Sequence, residues 1–167
     1  MFDIGDWVVY GIHGVCKIIG VEKQMVDHRR KPFFVLQPLA SKESRFFLPK
    51  DNPTALAKLR TVLNQQQLQD ILTSKEVEDD NWIEDENHRR QYYKDLITHG
   101  DRIDILKMVA SLHRYKDSLA ESGRKFHLCD DNFLRDAEKL ISSEVALVMD
   151  LPMEEAKQYL HQQLHVS

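Results

Sequence analysis

Two cysteines, six glycines and five prolines are few for a chain of 167 residues. Cys16 and Cys129 form no CxxC and no other metal-type spacing, which excludes a disulfide scaffold and a cysteine-based zinc module and leaves two free thiols suited to a reducing compartment. The scarcity of glycine and proline excludes collagen-like and low-complexity classes. No apolar run approaches the ~20 residues of a membrane-spanning helix. The opening MFDIGDWVVYG carries Asp3 and Asp6 and no long apolar segment, so it does not read as a secretion signal. A basic excess is missing as well. The formal net charge is −4, whereas nucleic-acid-binding domains usually carry a positive one. Residues 1–81 hold 11 Lys/Arg against 11 Asp/Glu, and residues 82–167 hold 12 against 16. Any nucleic-acid contact therefore has to come from local patches. There is also no HExxH, no GxSxG and no P-loop. Together these absences predict a cytoplasmic protein with no catalytic residues, no cofactor, no small-molecule substrate and no membrane contact.

What is present is a core: 42% of the residues are hydrophobic and 30% charged. The first third reads as strands. Trp7–Tyr10 is a short aromatic and β-branched run, GIHG (Gly11–Gly14) a tight turn, and Val15–Glu22 a second strand. The polar DHRRK (Asp27–Lys31) reads as a hairpin tip, Phe33–Leu36 and Arg45–Leu48 as further strands, and Leu59–Leu63 as a fifth. Short strands with no helix between them predict a small antiparallel barrel. From Asn64 the period changes. NQQQLQDIL reads as a short helix capped by Asn64, followed by an acidic linker and four helices. Gly100 suits the end of the first of these, and Asp101 caps the next. Asp130 or Asp131 is expected to cap the third helix, and Pro152 to open the fourth. The chain therefore divides into a β domain (1–63), a short helix with an acidic linker (64–86) and a helical domain (87–167), an α+β protein.

Three groups of residues invite a functional reading. His113 and Asp117 share a helix face, with His127, Asp130 and Asp131 beyond, but capping and solvation explain these better than a metal site does. HRRQYYK (His88–Lys94) interleaves cations and aromatics: Arg90 and Lys94 share one face, Arg89 and Tyr93 the next. Such interleaving suits a phosphate backbone beside bases. GRK (Gly123–Lys125) adds a loop cation pair. The third is Trp82, set among Glu76, Glu78, Asp79, Asp80, Glu84, Asp85 and Glu86. A large ring flanked by carboxylates is costly to bury completely, so a half-packed indole at a domain junction is expected.

The stretch IGDWVVYGIHGVCKIIGVE resembles the opening of the CarD/CdnL family of bacterial transcription regulators and the polymerase-interacting module of the transcription-repair coupling factor. Gly5-Asp6, Val8-Val9-Tyr10 and His13-Gly14 carry the likeness. FFLPKDN (Phe46–Asn52), Leu59-Arg60, the HGD corner (His99–Asp101) and AEKLISSEVALV (Ala137–Val148) extend it over nearly the whole chain. The resemblance implies a Tudor-like β domain that binds the RNA polymerase β subunit, and a helical domain that reaches promoter DNA at the upstream edge of the bubble. A tryptophan would wedge into the minor groove there. Gln24 and Phe47 stand where family members often carry arginines on the polymerase-facing edge, with Arg45 as a substitute. The implied DNA-facing set is Trp82, Arg89, Arg90, Lys94, Arg124 and Lys125. Trp82 lies about four residues, or one helical turn, earlier relative to the Gly-Asp corner than in familiar members. The competing expectation is a protein–protein adaptor of the same architecture without DNA contact.

Overall fold

In the computed structural model, residues 1–79 and 82–166 are described. Five strands form one antiparallel sheet: β1 (Trp7–Tyr10), β2 (Val15–Val26), β3 (Arg29–Pro38), β4 (Phe46–Pro49) and β5 (Leu59–Thr61), in the order β4-β3-β2-β1-β5. A 3₁₀ turn over Gly11–His13 joins β1 to β2. The β2–β3 hairpin is longer than the sequence suggested. Only Asp27 and His28 form its tip, both at positive φ (50° and 64°), a two-residue turn whose twist matches that of the strands. Arg29 to Lys31, expected in the tip, belong to β3. A bulge between Ile18 and Gly20 bends β2, curving the sheet around a core of Val8, Cys16, Ile18, Phe34, Leu36, Leu48, Ala55 and Leu59. Burial pushes the Cys16 thiol up to about 12, which makes it a packing residue rather than a nucleophile. Asn52 caps the single-turn helix α1 (Pro53–Leu56) by accepting from the Thr54 and Ala55 amides, with Pro53 at its start.

The rest is helical: α2 (Gln65–Leu72), α3 (Glu86–His99), α4 (Arg102–Glu121), α5 (Leu128–Met149) and α6 (Met153–Leu164). Asn64 caps α2 in a reciprocal box with Gln67. Asp85 and Asp101 cap α3 and α4. The apolar stripes of α4, α5 and α6 meet in one core that includes Ile105, Leu106, Val109, Leu112, Leu140 and Leu160. The short helix α2 contributes Leu68 and Leu72 to this core, and the segment read as an acidic linker contributes Val77. Gly100 ends α3 with ordinary φ (−70°), not in the left-handed conformation. Glycine is required there because a Cβ would lie 2.7 Å from the Leu96 carbonyl oxygen.

The two halves are docked. Val9 and Val15, on the face of the sheet opposite the β core, are fully buried among helical residues. At Gly14 (φ +72°) a Cβ would come within 2.4 Å of Ser143 Oγ, so the second glycine of GIHG is what lets β2 approach α5. That hydroxyl accepts from the Val15 amide (2.9 Å) and donates to the Leu140 carbonyl (2.8 Å). Beside it, Glu144 is fully buried. Its carboxylate accepts from the Leu63 amide and from Arg102 Nε and Nη2 at 3.0, 3.1 and 2.8 Å. Arg102 also donates to the Thr61 carbonyl, and Arg60 to the last carbonyls of α3 at Leu96 and Ile97.

Candidate nucleic-acid interface

Trp82 sits just before α3, partly buried against the helical core. Its indole stacks on Tyr115 of α4, with ring centroids 4.1 Å apart and planes 30° from parallel. The Arg89 guanidinium lies 4.5 Å from the Trp82 ring centroid and 5.9 Å from that of Tyr115. These three distances describe a triangle, not a line. Tyr115 and Arg89 therefore do not sandwich the indole, and part of it stays uncovered. The flanking acids Glu76, Glu78, Asp79, Glu84, Asp85 and Glu86 are exposed; Asp80 and Asn81 lie outside the described residues.

Arg89 departs from the expected phosphate contact. It is 4% exposed, and its guanidinium forms a forked pair with Asp130, Nε to Oδ1 at 3.1 Å and Nη2 to Oδ2 at 2.9 Å. Nη1 donates to the Ile83 carbonyl (2.9 Å). Burial works against the charge, but the Asp130 hydrogen bond and charge outweigh it and the pKa is raised. Arg89 thus holds the backbone next to Trp82 while its flat cation lies on the ring, a contact of ~0.5–2 kcal/mol. Asp130 has no capping role. It and Asp131 lie within the first turn of α5, whose N-cap is His127, without a side-chain cap. Asp131 pairs with Arg135 at 2.7 Å.

Arg90 is exposed and pairs with Glu86 across one turn of α3 (3.2 Å). A hydrogen bond with the Cys129 side chain raises its pKa, which places it beside the start of α5. Arg124 and Lys125 are exposed in the α4–α5 loop, next to Phe126, whose ring meets Tyr115 edge-on at 6.3 Å. Arg124 and Lys125 are thus chain neighbours of a ring that meets Tyr115, and Arg90 follows Arg89 on α3. Lys94, one turn further along α3, instead lines a hollow with Tyr10 and His13 toward the sheet. Tyr115 and Asp130 are the residues that sequence reasoning missed here. An aromatic off the apolar stripe of α4 was the available signal for Tyr115; nothing linear links Asp130 to Arg89, 41 positions away.

On the sheet, β4 is an edge strand paired only with β3. Phe47 is 42% exposed and stands opposite Val35 on the outer face. Gln24, paired with Lys31, lies on the same face further along the hairpin. Arg45 is exposed, and its guanidinium donates to the carbonyls of Lys42 and Ser44 in the preceding turn. Among the histidines, His113 is buried against Glu138 and His161, and not grouped with Asp117 or His127, which are exposed. Burial alone would raise the pKa of Glu138; the two imidazoles reverse this and hold it below the usual carboxylate value.

A curved antiparallel sheet with an open edge is thus docked to a helical domain whose surface carries a half-buried indole, an architecture suited to binding a partner. A family model for the CarD-like/TRCF RID domain matches residues 2–62, and one for the CarD C-terminal domain matches residues 67–161. The chain belongs to the CarD family, a group of transcription-related factors that interact with RNA polymerase. No curated protein matches it.

Proposed function

We propose that the sheet domain binds the RNA polymerase β subunit along the edge of β4, with Gln24, Arg45 and Phe47 at the contact, and that the helical domain meets promoter DNA at the upstream edge of the bubble and changes the stability of the open complex. The observation that carries this reading is Trp82: a partly uncovered indole, braced by Tyr115 and Arg89, in a helical domain whose exposed cations include Arg90 on α3 and Arg124 and Lys125 next to Phe126, which meets Tyr115. A braced apolar ring can enter a strained base step without first losing conformational freedom. Exposed cations contribute sequence-independent phosphate affinity. Tethering to polymerase supplies the effective concentration that an acidic protein lacks. Arg89 acts through Trp82, as a positioning residue.

The acidic balance of residues 82–167, 16 against 12, favours the adaptor reading instead. A promoter-opening assay with Trp82→Ala separates the two. On the DNA-contact reading the variant folds, binds β normally and shortens open-complex lifetime roughly tenfold, the loss of one stacking aromatic. An unchanged lifetime would leave the adaptor.

A further inference from the structure

Three side chains that DNA or polymerase contact does not use converge inside the helical domain. His113 comes from α4, Glu138 from α5 and His161 from α6. Both imidazole Nε2 atoms reach the same carboxylate oxygen, Oε1 of Glu138, His161 at 2.9 Å and His113 in closer contact. One ligand atom from each lies within 4.8 Å of the others. The two rings are 5.0 Å apart and close to perpendicular at 77°, so they approach the carboxylate from different directions.

We propose that His113, Glu138 and His161 bind a divalent first-row transition ion, zinc being the representative case. Two imidazole nitrogens and one carboxylate oxygen are a ligand set that such ions take in three-ligand sites. Metal–ligand bonds of ~2.0–2.2 Å at tetrahedral angles separate ligand atoms by roughly 3.5 Å. The three ligand atoms lie within 4.8 Å of one another, with His161 Nε2 and Glu138 Oε1 at 2.9 Å, so side-chain rotations that part the imidazoles from the carboxylate open room for an ion. Burial on three packed helices fixes the remaining geometry: the side chains of His113 and Glu138 are each 9% exposed.

A second observation points to a ligand here. Ser142, one turn after Glu138 on α5, is 2% exposed, and its Oγ has no hydrogen-bond partner among the described residues. Ser142 and Glu138 line the same hollow of ≈170 Å³. The hollow lies on the Glu138 side of the cluster, where a buried hydroxyl with unused donor and acceptor capacity suits a water or anion beside the carboxylate. The hollow also carries Arg135, Lys139 and Lys157 against Glu154. Lys157 Nζ is 3.9 Å from Glu138 Oε2. This positive surround opposes a bare dication and favours an anionic fourth ligand, hydroxide or chloride. Removing Lys157 should therefore tighten the site.

The test uses the purified full chain, stripped with a chelator and titrated with Co²⁺ alone. The expected result is one equivalent bound, with the intense visible bands of a low-coordinate cobalt site, displaced by Zn²⁺. Zinc at a hundredfold excess over Kd should raise Tm by roughly 5–10 °C, and Mg²⁺ should not. His161→Asn, at the partly exposed position, should keep the helical circular dichroism and lose both the bands and the shift. Lys157→Ala should retain both. Should His161→Asn not fold, Glu138→Gln serves in its place. Absence of bands and of a zinc-dependent shift in the parent chain overturns the proposal, as does their survival in the ligand variants, which would place the ion on surface histidines.

Discussion

Arg89 and Arg90 are neighbours in sequence and opposites in role. Arg89 lies under the surface, with its charge spent on Asp130 and on the Ile83 carbonyl. Arg90 is in solvent, paired with Glu86 across one turn and close to Cys129. Removing one partner of a buried pair leaves the other charged and desolvated, at a cost of about 3–5 kcal/mol. Arg89→Ala should therefore lower unfolding free energy by about that amount in a urea titration and quench or shift Trp82 fluorescence. Arg90→Ala should leave stability unchanged. If it touches phosphate, it should reduce the salt slope of promoter binding in the polymerase complex by about one unit. Equal, small stability changes in the two variants would show that Arg89 is not the brace its geometry describes.

At the scale of elements, α5 and β4 carry most of the organisation. One 22-residue helix presents Asp130 to Arg89 near its start, Glu138 to two histidines in its middle, and Ser143 and Glu144 to the sheet near its end. These successive contacts couple the Trp82 site, the histidine cluster and the domain junction to one rigid rod. β4 does the opposite: it has a single neighbour, and its free edge offers unpaired backbone groups to a partner strand. Phe47→Asp puts a charge on the outer face without touching Leu48, which is in the core. It should weaken β-subunit binding at least tenfold, the scale of a central interface aromatic, with unchanged circular dichroism. Unchanged affinity in a fluorescence titration would move the contact away from β4. The full chain is the right material, because a fragment ending near residue 63 would expose Val9 and Val15, both buried against the helices.

For the whole molecule, the relative placement of sheet and helices depends on a few polar contacts set into an apolar seam. Glu144 is the central one. It is fully buried and joins α5, the start of α4 through Arg102, and the exit of β5 through the Leu63 amide. Glu144→Ala leaves Arg102 and that amide short of an acceptor, and should cost about 3–5 kcal/mol. Urea denaturation followed by tryptophan fluorescence, with Trp7 at the seam and Trp82 in the helical half, checks this. A loss under about 1 kcal/mol would mean that the apolar packing of Val9 and Val15 suffices to dock the domains.

The α+β class, the strand-rich beginning, the apolar stripes of α4 to α6 and the caps at Asn64 and Asp101 were all legible in the sequence, because each is set by neighbours within a turn or two. Hydrophobic period, capping side chains and turn residues act over such distances and need no partner from elsewhere. The GDWVVY…HG opening was legible too, as a local pattern. The misread features involve distance. Arg89 looked like a phosphate contact because Asp130 is 41 positions away; His113 looked toward Asp117 because Glu138 and His161 lie on other helices; and the acidic stretch after α2 looked like a linker because Val77 finds its partners only when α4 is packed beside it. Even Gly14, legible as a turn glycine, owes its constraint partly to Ser143, more than a hundred residues later. Side-chain type and spacing fix which local structures form. Which charges are spent inside the fold, and which remain for a partner, depends on desolvation and on ion pairing between distant segments, and only the tertiary structure decides that.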